Sequence, residues 1–180
     1  MKRIYLVRHC QAEGQQMTAK LTDEGKEQAV QLAEKLSACG IERIVSSPFT
    51  RAVESIRPFS KAASLTIEKD NRLIEWVLSG RPLDDWLVRL KNSFADLDIC
   101  HEGGETGREA MTRGITVVRD VLDADPKNAV MVTHGGLLAL MVKHFKPNVG
   151  FDLWSRLSNP DVYRLTFDES RPHPKIERVQ

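Results

Sequence analysis

Cysteine is scarce: Cys10, Cys39 and Cys100 are the whole complement of a 180-residue chain, odd in number, scattered and without Cys-x-x-Cys spacing. That argues against a disulfide framework and against a structural zinc site, and the three read as reduced thiols of a cytoplasmic protein. Long apolar runs are missing too, since no stretch approaches the roughly eighteen residues a membrane helix needs. At the start, Met1-Lys2-Arg3 is followed by only Ile4 to Val7 as apolar residues, too few for a signal peptide. Excess charge of either sign is likewise absent: 26 Lys and Arg stand against 25 Asp and Glu, a net +1. No long-range field therefore favours nucleic acid or an anionic membrane as a partner, and recognition of any anion has to be local. There is no internal repeat, low-complexity tract or dividing linker, so residues 1–180 are expected to form one domain of unassigned oligomeric state.

What the chain does contain is a repeated punctuation. Ile4-Tyr5-Leu6-Val7 has the pattern of a short buried strand and runs into Arg8-His9. A helix follows from Thr22, its predicted N-cap, with Ala29, Leu32 and Leu36 on one face and Gly40 after its end. Ile41 to Ser46 predicts a second strand, and Ser47-Pro48 a helix start that puts Arg51 in the first turn, with Pro58 kinking or ending the helix near Arg57. Leu65 to Glu68 predicts a third strand. Pro82 to Phe94 carries Leu83, Trp86, Leu87, Leu90 and Phe94 at helical spacing, which favours the core for Trp86 over the alternative that Trp76, Trp86 and Trp154 line a substrate pocket, and a long helix is expected before Pro126. Ala129 to Thr133 is the clearest buried strand; it enters His134-Gly135-Gly136 and then an apolar helix, Leu137 to Phe145. Val162 to Phe167 and Ile176 to Val179 predict closing strands.

Alternating strands and helices imply an α/β fold, a three-layer α/β/α arrangement with a mainly parallel sheet and helices on both faces. Parallel strands bring their C-terminal ends to one edge, so Arg8, His9, Arg51 and His134 should converge there. Two guanidinium forks, with the N–H groups of helix first turns, suit a tetrahedral phosphate, and Gly135 and Gly136 let the backbone come close to a ligand. An unprotonated imidazole in that setting can take a phosphoryl group, and a carboxylic acid must then protonate the leaving alkoxide. Glu75, beside apolar Ile74 and Trp76, is the first choice for that acid, with Asp70 and Glu105 as substitutes. Glu105 stands either at the pocket mouth or at a helix start favouring the dipole.

Leu6-Val7-Arg8-His9, Leu21-Thr22 with Gly25, Gln28 and Ala29, Ser46-Ser47-Pro48 with Arg51-Ala52, Leu73 with Glu75, Gly103-Gly104-Glu105-Thr106 and Val132-Thr133-His134-Gly135-Gly136 together resemble the histidine phosphatase superfamily, in its phosphoglycerate mutase-like branch. The resemblance covers residues 3 to 140. It implies that His9 is the phosphorylated nucleophile, that Arg8, Arg51 and His134 hold the phosphoryl group, that Glu75 is the acid and later the base, and that no metal or other cofactor is required. Gln15, Gly135 and Glu105 join the residues expected to contact substrate. Two departures stand out: Cys10 follows the Arg-His pair where the family has Gly or Ala, and Ala12 and Gln15 replace the common Thr and Asn. The arginine-rich insertion of cofactor-dependent mutases is missing, which favours hydrolysis of a small phosphorylated metabolite over isomerisation.

Other readings are a mutase and a noncatalytic module that binds a phosphorylated ligand. A thiolate nucleophile at Cys10 is disfavoured, because the residue six places on, where a cysteine-dependent phosphate loop has Arg, is Gln16. A dinuclear metal centre is disfavoured as well, since neither His9 nor His134 has a carboxylate at ligand spacing.

Overall fold

The computed structural model describes residues 1–179. Its elements are β1 (Lys2–Arg8), α1 (Asp23–Ser37), β2 (Arg43–Ser46), α2 (Thr50–Ala63), β3 (Ile67–Lys69), a 3₁₀ turn (Asn71–Leu73), α3 (Trp86–Ala95), α4 (Gly107–Asp123), β4 (Asn128–Thr133), α5 (Gly135–Phe145), α6 (Phe151–Ser155), β5 (Asp161–Phe167) and β6 (Lys175–Arg178). The strands form one sheet in the order β3-β2-β4-β1-β5-β6. Neighbours among the first four are parallel, while β5 runs antiparallel to β1 and β6 antiparallel to β5. The expected α/β architecture is present, with a parallel centre and an antiparallel hairpin closing one side.

Period-two alternation splits the core into two layers. Ile4 and Leu6 of β1, Val45 of β2 and Ala129 and Met131 of β4 pack towards α3, α4 and α5. Tyr5, Val7, Ile44, Val130 and Val132 point the other way, into α1 and α2. Strands buried on both faces read as continuous apolar runs, which is why β1 and β4 were legible. Each fully buried Leu or Ile among them contributes about 1.5–3 kcal/mol relative to exposure. No helix of the described residues is long and apolar enough to cross a membrane.

Local signals hold at several helix ends. The Thr22 hydroxyl accepts from the N–H of Gly25 at the start of α1, and Thr106 and Glu109 form a reciprocal capping box at the start of α4. Past α1, Gly40 adopts φ +59°, a conformation that costs a residue with a Cβ.

Three expectations need correction. Helix α2 starts at Thr50, not at Ser47-Pro48, and Phe49 caps it without a side-chain bond, because the Ser47 hydroxyl is engaged with His134. Of the kink or end expected from Pro58, the end does not occur, since the helix runs to Ala63; buried Ile56 and Phe59 on either side hold it on the core, and packing overrides the missing N–H. Trp86 is not core: it is 49% exposed, in the first turn of α3, because only the later part of that helix, Leu90 and Phe94, reaches the interior.

Candidate active site

Strands β1, β2 and β4 end side by side, with Arg8 opposite Thr133 and Ser46 opposite Val132. The ladder extends one residue further, as His9 N–H donates to Thr133 O at 3.1 Å and Ser47 N–H to Val132 O at 2.9 Å. His9, Ser47 and His134 are thus the first residues past three adjacent strand ends. All three are buried.

His9 has a fixed tautomer. Its Nδ1 lies 2.7 Å from the carbonyl of Cys10, a contact only an N–H can make, so Nδ1 carries the proton and Nε2 the lone pair. The Nε–H of Arg51 donates to that Nε2 at 3.2 Å. Burial, then the positive charges of Arg51 and Arg8, hold the imidazole pKa down to about 4, against the opposing pull of the Cys10 carbonyl. The ring is therefore neutral and basic at Nε2 throughout the neutral range.

The imidazole of His134 stands edge-on to that of His9, ring centroids 5.1 Å apart. Its Nε2 is 2.8 Å from Ser47 Oγ. That oxygen also accepts the N–H of Phe49, at 3.3 Å, so Ser47 ties the His134 ring to the start of the following turn. Burial, and after it the charges of His9, Arg51, Arg113 and Arg8, push the His134 pKa well below the usual range.

Each arginine is held by carbonyls. Arg8 Nη1 donates to Leu157 O at 2.9 Å, and the side chain of Asn159 donates to His9 O at 2.8 Å, so the loop before β5 positions the pair. Arg51, 1% exposed, donates from Nη1 to Gln15 O and Gln16 O at 3.1 and 2.8 Å. Two buried polar atoms here have no partner, Arg8 Nε and His134 Nδ1. Buried polar atoms left unpaired are rare and costly, and the Arg8 Nε–H, on a residue that lines the cavity, is a donor short of an acceptor.

Glu75 lies at the start of α5. Its Oε1 accepts the N–H groups of Trp76 and Leu137 at 2.7 and 3.0 Å, and Oε2 that of Gly136 at 3.1 Å. The other two carboxylates considered are committed elsewhere. Asp70 caps the 3₁₀ turn and pairs with Arg72 at 2.6 Å. Glu105 is not among the residues that line the cavity; Arg113 grips it, at 2.5 Å in the shorter contact, and it accepts the N–H of Val77. Arg113, which no sequence pattern singled out, also donates to Arg72 O, Ile74 O and Glu75 O at 2.7, 2.8 and 3.1 Å, clamping the segment that carries Glu75.

A cavity of about 330 Å³ opens over Arg8, His9, Gln15, Glu75 and Gly135. A second lobe of about 480 Å³ adjoins it and reaches Arg51 and Phe49. Cys10 takes no part: it is fully buried between α1 and α2, its N–H bound to Ser55 Oγ, and burial raises its thiol to about 11. Among the described residues no three His, Cys, Asp or Glu side chains stand together as a metal site.

Two buried imidazoles, the buried guanidinium of Arg51 and the half-buried one of Arg8 meet at the carboxyl edge of the parallel strands of an α/β protein, a setting suited to a phosphoryl group. The family model of the histidine phosphatase superfamily, branch 1, matches residues 4–179, and the chain belongs to that superfamily. A relative named "Probable phosphoglycerate mutase GpmB", from Salmonella paratyphi B, is 28% identical, the match covering 95% of this chain and 87% of that protein. Among solved structures, a mycobacterial glucosyl-3-phosphoglycerate phosphatase in complex with inorganic phosphate superposes with a TM-score of 0.80 at 20% identity, over 100% of this chain and 96% of that one. The alpha-ribazole phosphatase of Shigella flexneri gives 0.75 at 18% identity, over 98% and 96%. These two share the fold.

Proposed function

We propose that the protein is a phosphomonoesterase that hydrolyses a small phosphorylated metabolite through a phosphohistidine on His9, without a metal. What carries this reading is the lone pair on His9 Nε2, with Arg51 Nε–H upon it and the unpartnered Arg8 Nε–H in the same cavity. In the first step Nε2 attacks phosphorus, the P–O bond to the alcohol breaks, and Glu75 in its acid form gives the alkoxide a proton. Glu75 Oε2, with a single N–H upon it, is the oxygen placed to carry that proton. Arg8, Arg51 and His134 donate to the equatorial oxygens, and Arg51 Nε–H turns from Nε2 to the phosphoryl group. In the second step water attacks the phosphohistidine, Glu75 takes its proton, the P–N electron pair returns to Nε2, and phosphate leaves.

Hydrolysis is favoured over isomerisation because the arginine-rich insertion that cofactor-dependent mutases carry after the acid is missing from this sequence. The test is phosphate release from a generic aryl phosphate with a chelator present. Release should persist with chelator and fall at least about 10⁴-fold in His9→Ala. Activity abolished by the chelator contradicts the proposal, as does isomerisation of a phosphoglycerate without phosphate release.

A further inference from the structure

We infer that the outer wall of the cavity is a subsite for a neutral aromatic ring, so that the substrates are phosphate monoesters whose alcohol carries one. This deepens the phosphomonoesterase reading and rests on it. Trp86 from α3 and Trp154 from α6 line the cavity together, ring centroids 6.1 Å apart at 80°. Leu78, Leu90 and Trp76 complete the wall. A packed tryptophan buries roughly 150–250 Å², yet Trp86 is 49% exposed, and its neighbours Leu87 and Val88 are 46% and 60% exposed.

The aromatic wall begins where the phosphate floor ends. A Cβ placed on Gly135 would lie 3.2 Å from Arg8 Nε and 3.4 Å from Trp154 Nε1, so cation and indole flank the same point. Charge separates the two halves. Arg8 and Arg51 serve the phosphoryl end, Glu75 lies between, and Arg81, the further cation among the lining residues, stands at the outer lobe in an exposed ion pair with Glu102. Beyond the phosphate the inner cavity is lined by the indoles of Trp76, Trp86 and Trp154 with Leu78 and Leu90, and Gln15 is the uncharged polar side chain there. A ring on the alcohol can make edge-to-face contacts there, as the two indoles make with each other, whereas a carboxylate seated among the indoles would lose its hydration.

Benzyl phosphate and cyclohexylmethyl phosphate have alcohols of similar size and acidity and differ in aromaticity, and 3-phosphoglycerate adds a carboxylate. The expected result is a kcat/KM for benzyl phosphate about fivefold above that for cyclohexylmethyl phosphate, with 3-phosphoglycerate the poorest, and a ratio that falls towards one in Trp86→Leu and Trp154→Leu. Equal use of the two cyclic esters, a ratio unmoved by both substitutions, or preference for 3-phosphoglycerate overturns the inference. Should no ester turn over, the phosphomonoesterase reading fails by itself, and the subsite is decided by calorimetry with benzylphosphonate and cyclohexylmethylphosphonate. Tighter binding of the aromatic phosphonate, lost on substituting the tryptophans, supports the subsite, and equal binding refutes it.

Discussion

Gly136 and Glu75 are in such close approach that a Cβ on the glycine would stand 2.7 Å from Oε1 of the carboxylate. What must give way is the end of a flexible side chain, so Gly136→Ala should keep the fold, at a cost of about 1 kcal/mol or less. The carboxylate, however, is displaced from the N–H groups of Gly136 and Leu137 that aim it. Turnover should fall by about 10²-fold or more, as expected for a mispositioned acid, and Glu75→Gln should fall at least as far. Thermal melts beside phosphate-release rates check this; a Gly136→Ala enzyme of full activity would show that Glu75 is not the proton donor.

Arg113 links α4 to the backbone of residues 72–75 through three carbonyls, and to Glu105 through a mostly buried ion pair. Removing the cation leaves Glu105 without its counter-charge and three acceptors short of a donor. Arg113→Met is expected to destabilise the protein by about 3 kcal/mol and to lower kcat through a misplaced Glu75. Urea denaturation with parallel kinetics measures both, and stability within about 0.5 kcal/mol of the parent would contradict the clamp.

The depressed pKa of His9 has a definite sign for stability. In the unfolded chain this histidine takes up a proton as pH falls through about 6.5, whereas in the folded protein it stays neutral until about 4. The unfolded state therefore binds more protons across that window, and the folded state loses stability as pH drops through it. The shift corresponds to about 3 kcal/mol for this one group. Against a His9→Asn variant, the parent should lose up to that much between pH 6.5 and 4, and nothing above pH 7.5. A difference between the two that is flat in pH would contradict the buried neutral imidazole.

The strand ends were legible because β1 and β4 are short apolar runs that stop at charged or imidazole residues, and parallel topology dictates that such ends meet. Arg8, His9, Arg51 and His134 could be placed at one edge on that basis alone. Arg113 could not, because an arginine in an amphipathic helix has the same spacing whether it faces solvent or clamps a distant loop. Trp86 was misread for a related reason: helical periodicity gives the face of α3 but not how far along it the core extends. Glu105 precedes a helix start, and nothing in its sequence shows that Arg113, in that helix, captures it. Ser47 looked like a cap because Ser-Pro opens many helices, and its use on His134 depends on β2 and β4 being neighbours, a fact of topology.

Quenching the enzyme within its first turnovers and mapping phosphate on the denatured chain tests the mechanism most directly. Acid-labile, alkali-stable phosphate is expected on the peptide containing His9, attached at Nε2, since the Cys10 carbonyl holds the proton on Nδ1. Phosphate on another residue, phosphate on Nδ1, or turnover with no phosphoenzyme under conditions that accumulate it in Glu75→Gln would contradict it.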